Sequence, residues 1–291
     1  MKSFSSSSQP FWQPVRILSI AGSDSGGGAG LQADIKTISA LGGYAATAVS
    51  AVTVQNTRGV EAVFPVPADI VCRQVEAVCS DIHPNAIKIS MLPDPALAGP
   101  LAKILKRYPC PCIIDPVMVS TSGHSLVEDA GVKSLVEHLF PLATIVTPNL
   151  EEVYTLTNIF PETRRDYGKA ARLILEMGAK SVLIKGGHAK PQKGKKATSV
   201  DFLLCQEEAC LPVSFSSLRI ESNNLHGTGC TLSAAIAFYM GAGLDTLQAV
   251  ACAKEYLYQA IKAGKDMKIG NGHGPVNHFF QPVPTRNTFE K

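Results

Sequence analysis

Short apolar runs alternate with amphipathic stretches along almost the whole chain, and this rhythm constrains the fold more than any other feature. Val15–Ala21 is an apolar run that ends at a glycine turn, and Leu31, Ile35, Ile38 and Leu41 then recur at helical spacing. Ala45–Val54 repeats the run, followed by a helical pattern around Ile70, Val71, Val75 and Val78. Ala86–Ile89, Cys112–Ile114, Thr144–Val146 and Ser181–Ile184 continue the series, the last preceded by a helix containing Leu173, Ile174 and Met177. Strands that are apolar on both sides and separated by helices of ten or more residues belong to a parallel sheet covered on both faces.

One segment departs from that rhythm. Val200–Leu204 and Cys210–Phe215 are separated only by a polar stretch with Gln206, Glu207 and Glu208, which predicts an antiparallel pair at one sheet edge. No composition shift marks a linker and no internal repeat is visible. The expectation is a single α/β domain over residues 15–285, with a disordered polar leader at 1–14 and a short tail at 286–291.

Bulk properties narrow the function classes. A hydrophobic fraction of 45% supports a sizeable core, and a net charge of +3 is too small to argue for nucleic acid. Lys190–Lys196 is the one basic run, read as a solvated loop or a flap near polyphosphate. Eight cysteines include no C-x-x-C pair, so reduced thiols in a cytoplasmic protein are the economical reading. No apolar run has membrane-spanning length, and the leader lacks a secretory core.

Ligands of open α/β sheets collect beyond the carboxyl ends of the strands, so the residues there carry the functional argument. Gly22-Ser23-Asp24-Ser25-Gly26-Gly27-Gly28-Ala29-Gly30 follows the first strand and matches neither the Walker nor the dinucleotide pattern. Asp34 follows near the buried stripe of the first helix, either as a ligand contact or as the partner of a Lys or Arg. Asp115 ends another strand against Pro116, where a carboxylate suits a magnesium–phosphate unit. Thr147-Pro148-Asn149 leads into Glu151-Glu152; Asn149 and Glu152 are spaced as a capping box, or else surround metal and phosphates. Lys185 precedes Gly186, Gly187 and His188, within reach of phosphate oxygens. His226-Gly227-Thr228-Gly229-Cys230 opens a helix whose free amides form an anion site, with the Cys230 thiol placed where the helix dipole favours its thiolate.

Taken together, Ile20–Asp34, Gln55–Val60, Asp115–Met118, Thr147–Leu150, Lys185–His188, His226–Cys230 and Gly274–Phe279 resemble the hydroxymethylpyrimidine and phosphomethylpyrimidine kinases of thiamine biosynthesis, within the ribokinase-like family. The resemblance spans about Ile17 to Phe280. It implies a three-layer α/β/α fold with a mostly parallel central sheet, and a homodimer. It places the aminopyrimidine against Gly22, Asp34, Gln55, Met91 and Val117. ATP falls near Asn149, Lys185, Gly227 and Gly229, with Mg²⁺ at Asp115 and Glu152. Catalysis falls to Lys185, the turn Gly227-Thr228-Gly229, and Cys230 as general base where many relatives of the wider family have aspartate. One departure stands out: the family usually has glycine where this chain has Ser90.

The expected chemistry is transfer of the ATP γ-phosphoryl to the hydroxymethyl oxygen of 4-amino-5-hydroxymethyl-2-methylpyrimidine, then phosphorylation of that monophosphate to the diphosphate. A pyridoxal kinase is the nearest rival, and Gln55 argues against it because a primary amide pairs with an aminopyrimidine edge. A non-catalytic nucleotide-binding protein is a more distant one. Nucleic acid and membrane are not expected partners.

Overall fold

The computed structural model describes residues 13–118, 128–186, 198–206 and 212–285. The expected leader up to residue 12, the basic run Lys190–Lys196, Gly187 and His188, and the tail at 286–291 lie outside the described residues. Among the described residues nine strands form one sheet in the order β3-β2-β1-β4-β5-β6-β7-β8-β9. Strands β1 (Arg16–Asp24), β2 (Tyr44–Asn56), β4 (Ala86–Ile89), β5 (Cys112–Ile114), β6 (Ile145–Val146) and β7 (Ser181–Ile184) are mutually parallel.

Both sheet edges are antiparallel. The hairpin of β8 (Thr198–Cys205) and β9 (Val213–Leu218) forms one edge, where the chain pattern predicts it. At the opposite edge β3 (Gly59–Pro65) folds back on β2, an element that the rhythm of apolar runs does not reveal. Most of β3 is exposed, so it has no continuous buried stripe to betray it.

Alternate strand residues feed two separate cores. Leu18, Ile20, Ile87, Ile89, Ile114, Val146, Val182 and Ile184 pack with α2 (Ala68–Asp81), α3 (Ala98–Leu105), α4 (Asp129–His138), α5 (Leu150–Thr157) and α6 (Arg164–Glu176). Ile17, Ala86, Ile113, Ile145 and Leu183 face the other way, toward α1 (Gly30–Ala40), α7 (Thr228–Gly241) and α8 (Thr246–Gly264). This two-sided burial explains the unbroken apolar runs, since neither face of the central strands β4, β5, β6 and β7 meets water. The result is the three-layer architecture expected.

Helix α7 is buried nearly all round, between the sheet, α1 and α8. A helix so enclosed cannot drift, and its N-terminus is therefore a fixed feature of the site. β1 lies between β2 and β4, so the chain order reverses there and opens a crevice at the carboxyl ends of these strands.

Candidate active site

Two glycine turns meet at this crevice. Gly227 caps α7 with φ 81°, a conformation that favours glycine, and an added Cβ would collide with the Gly28 carbonyl. The turn after β1 is organised by Asp24: Oδ1 accepts from the Gly26 amide at 2.8 Å, and Oδ2 from those of Gly28 and Ala29 at 3.1 and 2.8 Å. His226 Nε2 lies 3.0 Å from the same Oδ2. Burial works against this carboxylate, but His226 and the loop amides outweigh it and hold it below its usual pKa. Thus Asp24 and His226, each part of a recognised motif but given no role of its own, bolt the two turns together.

Across the helix start lies a buried charge cluster. Lys185 Nζ is 2.7 Å from Asp115 Oδ1, which also accepts from Thr147 Oγ1 at 2.9 Å, and Ser233 Oγ donates to Asp115 Oδ2 at 3.1 Å. Burial would lift the Asp115 carboxyl, yet Lys185 and Lys88 hold it down. Burial would likewise weaken the Lys185 ammonium, and Asp115 and Glu152 reverse that, raising its pKa. A Cβ on Gly229 would sit 3.3 Å from Lys185 Nζ and 3.7 Å from Asp115 Oδ2, so the first turn of α7 and this ion pair share one space.

Asn149 and Glu152 form the capping box of α5: Asn149 Oδ1 accepts from the Glu152 amide at 2.9 Å, and Glu152 Oε2 from the Asn149 amide at 2.7 Å. Burial pushes the Glu152 carboxyl up to about 7, against the pull of Lys185. The cap is therefore a structural fact, and it places a proton-exchanging carboxyl beside Lys185.

Asp34 sits in a buried ion pair. It is fully buried, with Lys88 Nζ at 2.8 and 3.0 Å from its two oxygens and Ser19 Oγ at 2.6 Å. These contacts are the ion-pair alternative that its sequence position left open, and among the described residues Oδ1 accepts from Lys88 alone. Lys88 was the missed partner, and the signal was a single cation inside the four-residue apolar strand Ala86–Ile89.

Cys230 lies partly exposed in the first turn of α7, where the Gly30 amide at the start of α1 donates to it. Burial lifts its thiol to about 11; Lys88 pulls the other way, and Asp34 and Asp115 push with burial. The thiolate expected from the helix dipole is thus not the resting form, because desolvation exceeds the dipole's contribution. Cys230, Asp34 and Asp115 nevertheless interact within one cluster.

The remaining expected pocket residues fall in separate contacts: Gly22 with Met91, Gln55 with His226, and Val117 in a small cavity. A Cβ on Gly22 would meet the end of the Met91 side chain, and Ser50 Oγ fixes the Met91 carbonyl at 2.6 Å. Gln55 is the penultimate residue of β2, with its amide 3.2 Å from His226 Nε2. Ser90 and Val117 line a small cavity bounded by Met118 and by Val132 and Leu135 of α4. Ser90 is buried and accommodated there.

A glycine-opened helix facing a lysine–carboxylate pair at the strand ends defines a phosphotransferase of the ribokinase-like class. Comparison with known proteins narrows the class. The chain belongs to the phosphomethylpyrimidine kinase family, whose model matches residues 24–277. It is 47% identical over 263 residues to the hydroxymethylpyrimidine/phosphomethylpyrimidine kinase of Rhizobium meliloti, covering 90% of this chain and 96% of that protein. The crystal structure of phosphomethylpyrimidine kinase from Clostridium difficile superposes with a TM-score of 0.73 at 38% identity, over 85% of this chain and 99% of that one. Pyridoxal kinase from Staphylococcus aureus in complex with AMP-PCP gives 0.81 at 31% identity, over 94% and 96%.

Proposed function

We propose that this chain transfers the γ-phosphoryl group of ATP to the hydroxymethyl oxygen of 4-amino-5-hydroxymethyl-2-methylpyrimidine, and then phosphorylates the monophosphate to the diphosphate. The observation that carries this reading is the approach of the Gly227–Cys230 turn to the Lys185–Asp115 pair. Phosphoryl transfer depends mainly on positioning and on neutralising charge over the transferring oxygens. Free amides at the start of α7 and the Lys185 ammonium supply that neutralisation. Asn149 and Gly186 border the same strand ends, where the adenosine triphosphate would lie. The S. aureus enzyme's complex with AMP-PCP supports ATP as donor.

Among the described residues no group of three or more His, Cys, Asp or Glu side chains is placed to hold a metal ion. Asp115 and Glu152 are two hard-oxygen donors, and that set fits Mg²⁺ carried on nucleotide phosphates, which keeps most of its ligands from phosphate and water. When bound, Mg²⁺ would supply charge neutralisation between these carboxylates and the phosphates. Lys185 holds Asp115 ionised, and Glu152 releases its proton near neutrality.

Cys230 acts on the acceptor. In the first reaction an alcohol loses a proton; the sulfur at the N-terminus of α7 accepts the hydroxyl's hydrogen bond, and takes the proton only from the thiolate form, after its own proton has left to solvent. In the second the acceptor phosphate is already mostly ionised. Gln55, at the rim, pairs with the aminopyrimidine edge, while Gly22, Met91 and Val117 give the flat walls a heteroaromatic ring requires.

A pyridoxal kinase is the second reading, favoured by the high structural similarity to the S. aureus enzyme. ADP release with the hydroxymethylpyrimidine, its monophosphate and pyridoxal as acceptors separates the two. Turnover of both pyrimidines supports the proposal; turnover of pyridoxal alone overturns it. A homodimer formed through β2 and β3 is part of the proposal, because paired Val52 and Phe64, with Val54 beside them, leave an apolar stripe exposed. Sedimentation measures it. Cys72, Cys79, Cys110, Cys112, Cys230 and Cys252 carry free thiols, in keeping with a cytoplasmic setting, and no described helix is long and apolar enough to cross a membrane.

A further inference from the structure

The amide of Gln55 sits in a hydrogen-bond network whose protons can be counted. Its Nε2 end lies 3.2 Å from His226 Nε2 and its Oε1 end 3.2 Å from Thr53 Oγ1. His226 Nε2 is also 3.0 Å from Asp24 Oδ2, and Thr53 Oγ1 donates to the Ser23 carbonyl at 3.0 Å. Three backbone amides already point at the Asp24 carboxylate, from Gly26, Gly28 and Ala29. A carboxylate in that setting is ionised and only accepts, so His226 Nε2 carries a proton whether the ring is neutral or charged.

That proton decides the amide. An N–H cannot accept from the Gln55 NH₂, and Thr53 has one hydroxyl proton, already given to Ser23. Half a turn of the amide leaves its shape unchanged and removes the donor–donor clash: Oε1 shares the one His226 Nε2 proton with Asp24 Oδ2 in a three-centre bond, and Nε2 donates to Thr53 Oγ1. We infer that Asp24 and His226 are positioning residues that set the Gln55 amide with its carbonyl toward α7 and its NH₂ toward Thr53. The backbone of Gln55 is tied as well, donating to and accepting from Ser25 Oγ at 2.9 and 2.7 Å.

Resting on the aminopyrimidine reading of this pocket, the consequence is a directional edge. The free lone pair of Oε1 lies on the His226 side and the free N–H on the Thr53 side. A ring is accepted when its exocyclic amine faces His226 and its ring nitrogen faces Thr53. Ligands lacking the amine leave the carbonyl unmatched, and a site built to hydrogen-bond a missing group discriminates strongly.

Three measurements on the full-length protein test this. Proton-detected ¹⁵N correlation of the histidine rings, with His226 assigned by its disappearance in His226→Phe, is expected to show a proton on Nε2. A Nδ1–H tautomer with bare Nε2 would overturn the inference. Second, His226→Phe is expected to raise KM for the hydroxymethylpyrimidine about tenfold or more, a clearly larger factor than its effect on the KM for ATP or on kcat/KM for pyridoxal, which report the loosened glycine turns. Third, in the Gln55→Ala background the same change should add almost nothing. Equal losses with both acceptors, or full additivity with Gln55→Ala, would mean that His226 merely supports the fold. Should the wild-type protein phosphorylate neither pyrimidine, the function proposed above fails, while the ring-proton measurement still decides the inference.

Discussion

Lys88 and Asp34 form an ion pair with no solvent contact at all, Nζ lying 2.8 Å from Oδ2 at the centre of the sheet. Burial works against the ammonium, and Asp34 outweighs it and keeps Lys88 charged. Removing one member leaves an uncompensated charge in the core. Lys88→Met is therefore expected to lose about 3–5 kcal/mol of stability, whereas Lys88→Met combined with Asp34→Leu recovers most of it. Urea unfolding midpoints of the two variants measure the difference. Equal destabilisation by both would show that the pair is not the source.

Gly227 is required by backbone conformation as well as by space. Its φ of 81° and its approach to the Gly28 carbonyl leave no room for a side chain. Gly227→Ala is expected to shift the first turn of α7 and lower kcat by roughly 100-fold or more, the scale for losing an oriented donor. Gly168, inside α6, has open space where a Cβ would go. Gly168→Ala should leave the rate alone and stabilise by about 0.5–1 kcal/mol. Steady-state kinetics and thermal unfolding of both variants supply the comparison.

His278 predicts an acid-sensitive helix start. Its Nε2 lies 3.1 Å from Thr231 Oγ1, which itself donates to the Gly227 carbonyl at 2.8 Å. Burial, helped by Lys36, lowers its pKa from 6.5 to about 4. The unfolded chain then binds the proton more tightly, so this contribution is complete above about 6.5 and is lost as pH falls toward 4. The loss amounts to about 3 kcal/mol from the size of the shift. In His278→Gln the stability profile across that window should be flatter by a similar amount; an unchanged slope would contradict the assignment.

Cys230→Ala is expected to separate the two reactions. Loss of the sulfur should slow phosphorylation of the alcohol by about 100-fold or more, and that of the monophosphate by far less, because only the alcohol surrenders a proton. Single-turnover rates with the two acceptors measure this, and equal losses would reject the base role. Lys88→Met should also move the thiol above about 11, since Lys88 is the cation opposing burial. The pH dependence of site-resolved alkylation reports that shift.

The sequence alone determined the layered sheet, because strands buried on two faces must be apolar throughout and the helices between them must repeat every three or four residues. It also determined the two glycine turns and the capping box at Asn149, since each depends on residues adjacent in the chain. β3 escaped because an exposed edge strand carries no core pattern. Lys88 with Asp34, and Asp24 with His226, were decided only by tertiary structure. Their partners lie 54 and 202 positions apart, and no local rule links a buried charge to the group that neutralises it. The Cys230 thiol shows the same division: chain position places it at a helix start, but its proton is held by desolvation, which exists only once the sheet, α1 and α7 have closed around it.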